Sequence, residues 1–443
     1  MKSSSPKKLV LTNTFHQIVG KIVGSLTAGL VSVLIGRLFG PSGYGDFTKI
    51  ATFVSFFFLF ADFGLNAVYL QKRNTKITWQ VLLATRILLI SICMTSALFI
   101  LFLLPSSENS GYTLFVKLGI ILFLPSIISQ SLVTTANAVF QETLSYIYAT
   151  VANIAGSLAT LAVLVLVYFH IFPVSVYMGI TGVLVGSIVT ALVSIFYISR
   201  RRYSLKPEFN WNVIGVLTRG SVPLALTLLV NLVYFRIDSI ILTLTRSTEE
   251  VGLYGLAYKI FELPLVFPTF FMNAVYPFLL TTIKGEKKEN KYFMRLIIRA
   301  SGVLLFIAIP SSIALWILAP LIVFVRSDFS GSIMTLRILS LSLPFFFLSS
   351  STMWGLISLR LNKELLFTYT TGLFINLVLN LALIPSYGII AAAISTGVTE
   401  GVVLALSIFF LWKNSRRSEK LIPQNERKQN LSLLKCQPIM IHE

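Results

Sequence analysis

Twelve apolar segments, each long enough to cross a lipid bilayer, run almost without interruption from Thr14 to Leu411. A helix needs about 20 mostly apolar residues to span roughly 30 Å of hydrocarbon, and only helices satisfy their own backbone there. With 55% hydrophobic residues, the chain has too little polar sequence for a soluble domain of ordinary size. We therefore predict an all-α integral membrane protein with twelve transmembrane helices. The predicted spans lie near residues 14–36, 47–69, 81–104, 113–138, 146–169, 176–198, 217–244, 252–280, 297–319, 335–358, 366–385 and 388–411.

The positive charge of the chain follows its predicted topology. The formal net charge is +19, but lysine and arginine concentrate at both termini and in every second loop, as in residues 200–206. The alternate loops contain only Arg37, Arg246 and Arg326. This alternation is the positive-inside rule. It predicts a multi-pass protein of the cell (inner, cytoplasmic) membrane with both termini in the cytoplasm, and it argues against nucleic-acid binding as the reason for the charge.

Neither a cofactor site nor an enzyme active site is indicated. His16, His170 and His442 are scattered without the spacing of metal ligands. Cys93 falls within a span and Cys436 in the C-terminal tail, so no disulfide is expected. The predicted outer loops are short and leave no domain that could hold an active site. We predict no metal, no cofactor and no catalytic residue.

The chain contains an internal repeat. A Tyr-Gly-x-x-x-Lys-Ile pattern at 44–50 opens the second span and recurs at 254–260 in the eighth, and Asn-Ala-Val-Tyr at 66–69 recurs at 273–276. Six spans per half give both halves the same orientation, which predicts a parallel repeat around a central cleft. Chance similarity among apolar helices is the alternative. The predicted units are an N-terminal six-helix lobe (1–204), a C-terminal six-helix lobe (205–412) and a disordered basic cytoplasmic tail (413–443).

Three groups of segments carry a resemblance to a known family. They are Gly-Arg-Leu-Phe-Gly-Pro-Ser-Gly-Tyr-Gly at 36–45 with Ala-Asp-Phe-Gly-Leu at 61–65, Arg-Ile-Asp-Ser-Ile-Ile-Leu at 236–242 with 249–259, and 336–339 with 376–380 and 384–388. With them the chain resembles the Wzx-type oligosaccharide flippases of polysaccharide biosynthesis, in the multidrug/oligosaccharidyl-lipid/polysaccharide exporter superfamily.

The resemblance implies a MATE-like fold and a polyprenyl-diphosphate-linked oligosaccharide as cargo, moved from the inner to the outer leaflet for surface polysaccharide synthesis. It also implies membrane lipids and the polysaccharide polymerase or glycosyltransferase machinery as partners. Flippases of the peptidoglycan precursor usually have two further spans, which this chain lacks. Drug exporters of the superfamily tend to carry an acidic residue in the first span, where this chain has Lys21.

The ionisable residues inside the predicted spans are more often basic than acidic. Such residues are costly in lipid and tend to face a cavity or a partner, and a diphosphate needs the donors and charge that arginine and lysine supply. The cations are Lys21, Lys49, Arg86, Lys117, Arg236, Lys259, Arg299 and Arg337, against Asp62, Asp238, Glu262 and Glu400. We predict that Lys21, Lys49, Arg236 and Lys259 bind the head-group in the cleft, with Asp238, Asn231 and Glu400 in support.

Each of these residues also has a structural interpretation. Lys21 could snorkel to the cytoplasmic interface, and Lys49 and Lys259 could tether outer loops. Arg236 and Asp238 are two residues apart and cannot face each other on one helix, so each is expected to pair with another helix. Glu400 could be a coupling site or a hydrogen-bonded packing carboxyl. We place Arg86, Arg299 and Arg337 at the membrane interfaces.

The sequence thus favours a transporter, not an enzyme, in which two six-helix lobes rock about a cationic cleft by alternating access. A cation-coupled drug or metabolite antiporter of the same fold is the first alternative, and an acidic cleft would favour it. A membrane-embedded polymerase or glycosyltransferase is the second, and a scaffold or uncoupled lipid scramblase is the third.

Overall fold

The computed structural model describes residues 6–71, 77–105, 110–201, 203–282 and 289–415. Within these ranges, ten continuous helical runs are long and apolar enough to cross a membrane. Val19–Gln71 and Asn362–Asn414 contain 53 residues each, which is more than twice what one crossing needs. Counting each of these two runs as a pair of crossings gives the twelve passes predicted from the sequence.

The described helices follow one another with short connections. Two 3₁₀ turns, Ala319–Phe324 and Ser327–Gly331, lie between the helix that ends at Leu318 and the helix that begins at Ser332. The helices are α1 (Pro6–Asp62), α2 (Leu65–Gln71), α3 (Trp79–Leu103), α4 (Leu114–Phe123), α5 (Pro125–Glu142), α6 (Ile147–Tyr168), α7 (Val176–Arg200), α8 (Trp211–Thr245), α9 (Thr248–Glu262), α10 (Val266–Thr282), α11 (Glu289–Leu318), α12 (Ser332–Ser358) and α13 (Asn362–Ser415).

Single glycines divide the two longest helices. The sequence predicted connections at 37–46 and 386–387, but α1 and α13 are each helical throughout except at one residue. Gly40 has φ +68° and Gly388 has φ +60°, a region that glycine enters without steric penalty. Pro41 follows Gly40 directly, and proline at the first position of a helix loses no backbone hydrogen bond. One residue therefore replaces each predicted loop.

The internal repeat is visible in the second membrane-spanning helix of each half. In the first half, Phe63 and Gly64 adopt positive φ and separate α1 from α2. In the second half, residues 263–265 separate α9 from α10. Each break precedes the repeated Asn-Ala-Val-Tyr motif, at 66–69 in α2 and at 273–276 in α10. The breaks differ in conformation and in distance from the motif, so the halves share an interrupted helix here but not its local geometry.

The halves approach each other most closely at one end of the bundle, which we name the closed end. It carries the breaks at Gly40 and Gly388, and the opposite end, where the described chain begins and ends, is named the terminal end. At the closed end a Cβ added to Gly252 would lie 1.9 Å from the carbonyl oxygen of Pro41. A Cβ added to Gly45 would lie 1.9 Å from that of Thr248. Backbone therefore packs directly on backbone there.

Buried apolar side chains form a core within each half and a smaller one between them. The core of the first half includes Ile50 and Ile120, and that of the second includes Phe261 and Leu343. One cluster that joins the halves consists of Val31, Ile35, Tyr44, Leu164, Leu256, Ile322 and Phe329, and it lies toward the closed end. At the terminal end, Leu217 of α8 packs against Leu65 and Leu82, and Ile214 packs against Val81, so the halves are in contact at both ends.

The predicted C-terminal tail begins inside a helix. The sequence placed the start of the tail at residue 413, but α13 continues to Ser415. Residues 416–443 lie outside the described residues, so the disorder predicted for that segment stays a prediction.

Candidate functional site

Three charged side chains from α8 and α9 meet between the halves. The Nη2 atom of Arg236 lies 3.0 Å from Oε1 of Glu262, and Nζ of Lys259 lies 3.2 Å from Oε2 of the same carboxylate. The guanidinium also lies over the ring of Tyr258, 5.7 Å from its centroid. Each of the three charged side chains keeps roughly 30% of its surface exposed. We name Arg236, Lys259 and Glu262 the cleft cluster.

Lys21 contacts α10 from the first half. The helices α9 and α10 run antiparallel to the first part of α1, where a Cβ added to Gly29 would lie 3.5 Å from Leu263. Closer to the terminal end, Nζ of Lys21 lies 5.4 Å from the centroid of the Phe270 ring. The Lys21 side chain is exposed. It therefore presents a positive charge on the terminal-end side of the cleft cluster.

Lys49, the repeat counterpart of Lys259, lies at the closed end. Its side chain is 0% exposed, and its ammonium donates to the carbonyl oxygen of Gly111 at 3.1 Å and to Oγ1 of Thr248 at 2.7 Å. The backbone N–H of Gly111 donates to the carbonyl of Thr243 at 2.7 Å. Lys49 thus joins α1, the α3–α4 connection and the start of α9, and it is separate from the cleft cluster.

The two supporting carboxylates are buried in the second half, and each accepts hydrogen bonds from groups outside the cleft cluster. Asp238 accepts hydrogen bonds from the hydroxyl of Tyr254 and from the backbone N–H of Ser239. Glu400 accepts from the hydroxyls of Tyr234, at 2.5 Å, and Ser349. As the spacing on α8 predicts, Arg236 and Asp238 bond to different partners on α9. Both carboxylates are positioned to hold α8 against its neighbouring helices.

Asn231 stands on α8 five residues before Arg236. Its side chain is half-buried, and among the described residues it makes no hydrogen bond. The amide is therefore free to donate to or accept from a polar ligand near Arg236, and its proposed contact with cargo stays a prediction.

Arg86 differs from the sequence-based expectation of an interfacial arginine. It is 1% exposed, and its guanidinium donates to the carbonyl oxygens of Ala61 and Asp62, which end α1, at 2.7 and 2.9 Å. It also bonds Oδ1 of Asp62 at 2.9 Å and Oδ1 of Asn66 at 2.6 Å. The carbonyls at a helix end lack partners within the helix. Arg86 supplies hydrogen-bond donors to these carbonyls at the break between α1 and α2.

Replacing Arg86 with leucine is expected to destabilise the protein by about 3 kcal/mol, because it leaves Asp62 and two helix-end carbonyls without their donor. The value lies at the lower end of the range for buried pairs because Asp62 keeps 33% of its side chain exposed. Thermal unfolding in detergent measures the effect. Arg200→Leu, at an exposed position, is the control, and equal melting temperatures for the two variants would contradict the assigned role.

Glu262 is the functional candidate that the site prediction missed. The sequence does hold a signal for it, since Lys259 and Glu262 are three residues apart and therefore adjacent on one helix face. Its contact with Arg236 joins positions 26 residues apart and needs the fold of α8 against α9. Within the cleft cluster, two cations share one carboxylate.

An apolar groove opens between α1 and α8 on the terminal-end side. Its volume is about 70 Å³, and the two helices contribute only apolar side chains to it. The lining residues are Leu59, Phe60, Phe63, Val222, Ala225, Leu226 and Leu229. The groove lies between the two halves, as does the cleft cluster.

The fold is that of a multi-pass helical membrane protein. A family model of polysaccharide biosynthesis proteins matches residues 10–282. The chain therefore belongs to the polysaccharide biosynthesis protein family, which confirms the resemblance seen in its sequence.

The chain is similar in sequence to a curated protein, the probable flippase AglR of Haloferax volcanii. The two are 28% identical over 262 residues, which are 57% of this chain and 52% of AglR. The chain thus matches about half the length of that relative.

Solved structures show the fold. The lipid II flippase MurJ in its inward closed conformation superposes with a TM-score of 0.72 at 17% identity, over 90% of each chain. A multidrug resistance MATE transporter of the MOP superfamily in its inward-facing conformation gives 0.63 at 12% identity, over 93% of this chain and 96% of that one. A MOP superfamily transporter from Pyrococcus furiosus, described by a reversed polarity of its binding pocket, gives 0.57 at 12% identity, over 94% and 97%. The predicted MATE-like helical fold is confirmed.

Proposed function

We propose that this protein moves a polyprenyl-diphosphate-linked oligosaccharide from the inner to the outer leaflet of the cell membrane, for surface polysaccharide synthesis. The cleft cluster is the observation that carries the proposal. Arg236 and Lys259 share one carboxylate, so one positive charge is left over, and Lys21 adds another. A guanidinium matches phosphate oxygens in geometry and charge. Membership of the polysaccharide biosynthesis family supports the same cargo class.

The proposed orientation places the terminal end in the cytoplasm. Lysine and arginine concentrate in the loops of that end, and the positive-inside rule assigns such loops to the cytoplasm. The close backbone packing at the closed end and the exposed Lys21 toward the terminal end then correspond to a state that receives cargo from the cytoplasm.

In the proposed mechanism, the lobes 1–204 and 205–412 rock about the cleft. The charged head enters from the cytoplasmic side and contacts Arg236 and Lys259. The apolar groove between α1 and α8 holds the beginning of the polyprenyl tail, which otherwise remains in lipid. The closed end must then separate, which breaks the contacts of Lys49 and the packing at Gly252. The chemistry is binding and release, so no covalent step and no catalytic residue is assigned.

The alternative of a cation-coupled drug antiporter is less well supported. A cationic drug needs negative charge in the cleft, and the one carboxylate of the cleft cluster is already paired with two cations. Asp238 and Glu400 are buried and already accept hydrogen bonds from hydroxyl groups.

Reconstitution of the purified full chain into liposomes tests the proposal. A polyprenyl-diphosphate oligosaccharide is placed in both leaflets, and its exposure to an added lectin that cannot cross the membrane is followed over time. We expect rapid translocation of the diphosphate lipid and slow translocation of a neutral polyprenol glycoside with the same sugars. Equal rates for both lipids would contradict recognition of the phosphate by the cleft. Export of ethidium without movement of either lipid would favour the antiporter.

A further inference from the structure

A second basic site lies at the terminal end, where α10 ends and α11 begins. It is a cavity of about 220 Å³ lined by Thr282, Tyr292, Arg295, Leu296 and Arg299. Arg295 and Arg299 are four residues apart, so they stand one turn apart on the same face of α11. The guanidinium of Arg295 lies over the ring of Tyr292, 5.6 Å from its centroid. Two arginines thus converge on one concave surface.

Neither guanidinium group forms an ion pair with a carboxylate in the part of the chain that the structure describes. There, Arg86, Arg236, Arg246 and Arg326 each form such a pair, whereas Arg295 and Arg299 form none. Like charges one turn apart on a helix repel each other. An anion bound between Arg295 and Arg299 would remove that repulsion.

The helix face that carries the two arginines continues as an apolar strip. Gly302, Phe306 and Ile309 follow Arg299 at intervals of three and four residues and therefore lie on the same face of α11. A Cβ added to Gly302 would meet nothing within 4 Å, and the Phe306 side chain is 79% exposed. A basic pocket is thus joined to an open apolar surface that runs toward the middle of the membrane.

We propose that this face of α11 binds an anionic phospholipid of the cytoplasmic leaflet. Arg295 and Arg299 contact its phosphate, and an acyl chain lies along Gly302 and Phe306. Basic pockets on the cytoplasmic side of transmembrane helices recognise acidic head-groups through the same charges. The choice of leaflet rests on the proposed orientation. The binding chemistry does not depend on the cargo, so it can fail or hold separately from the flippase proposal.

Native mass spectrometry of the purified full chain tests the site. Phosphatidylglycerol and phosphatidylcholine with identical acyl chains are titrated separately, and inorganic phosphate is the third probe. A basic residue near an anionic head-group contributes a factor of about five to affinity. Arg295→Gln/Arg299→Gln is therefore expected to weaken phosphatidylglycerol binding about 30-fold, with phosphatidylcholine binding unchanged.

Two further variants make the result specific. Arg200→Gln/Lys206→Gln removes two exposed charges from the terminal end, at the connection between α7 and α8, and should bind phosphatidylglycerol like the wild type. Gly302→Leu keeps both arginines and fills the open space, so it is expected to weaken phosphatidylglycerol binding as well. Equal affinity in wild type and the double arginine variant would overturn the proposal. So would phosphatidylcholine binding as tightly as phosphatidylglycerol, or displacement by inorganic phosphate or by polyprenyl phosphate at equal concentration.

Discussion

Arg236→Ala is expected to reduce translocation of the diphosphate-linked oligosaccharide about 100-fold while the protein remains folded in the membrane. The variant leaves Glu262 paired with Lys259 alone, so the cleft cluster loses its excess positive charge. Two charge-assisted hydrogen bonds to the phosphate, each contributing about 1.5 kcal/mol, would be lost as well. The liposome assay with an added lectin measures the rate.

One companion variant separates charge from shape at position 236, and a second serves as the control. Arg236→Lys keeps the charge but loses the planar fork that matches phosphate oxygens, and it should restore only part of the rate. Arg337→Ala is the matched control, because Arg337 lies on α12 over the ring of Trp316, 5.6 Å from its centroid, and has no contact with the cleft cluster. If Arg236→Ala transports like the wild type, Arg236 is not part of the binding site.

Gly252→Ala should prevent the closed end from closing. The added methyl group would stand 1.9 Å from the carbonyl oxygen of Pro41, and both sides of this contact are backbone, so no side chain can move aside. Overpacking of this kind costs about 1–3 kcal/mol, which would shift the equilibrium between closed and open states about 5- to 150-fold toward the open state.

Distances between spin labels at Val174 and Tyr387 report the state of the closed end. Both positions are exposed there, one in each half. We expect Gly252→Ala to populate longer distances and to transport slowly. Gly24→Ala in α1 is the control, because a Cβ at Gly24 meets nothing within 4 Å. Wild-type distances in Gly252→Ala would show that the packing at Pro41 does not govern closure.

Much of the fold could be predicted from local sequence. The number of crossings, the alternation of basic loops and the repeated Tyr-Gly-x-x-x-Lys-Ile motif are properties of short stretches of chain, because hydrophobic length and loop charge decide insertion one segment at a time. The single-residue breaks at Gly40 and Gly388 were not predicted, since their left-handed φ depends on how the adjoining helices pack.

The site was less accessible to sequence reasoning. Arg236 and Lys259 could be selected because an ionisable residue inside a span needs a partner or a cavity. That rule does not say which partner is found. Glu262 joins Arg236 to Lys259 only because α9 packs beside α8, and Arg86 is buried only because α3 passes the break at the end of α1.

Lys49 and Lys259 show most clearly what the sequence determines and what the tertiary structure decides. The sequence by itself determined that the two positions are equivalent. Both occupy the same position of a repeated motif, and both were expected in the cleft. The tertiary structure alone decided that Lys259 joins the cleft cluster and that Lys49 is buried at the closed end. The physical reason is that a charge in an apolar helix takes its role from the groups that other helices bring within hydrogen-bonding distance.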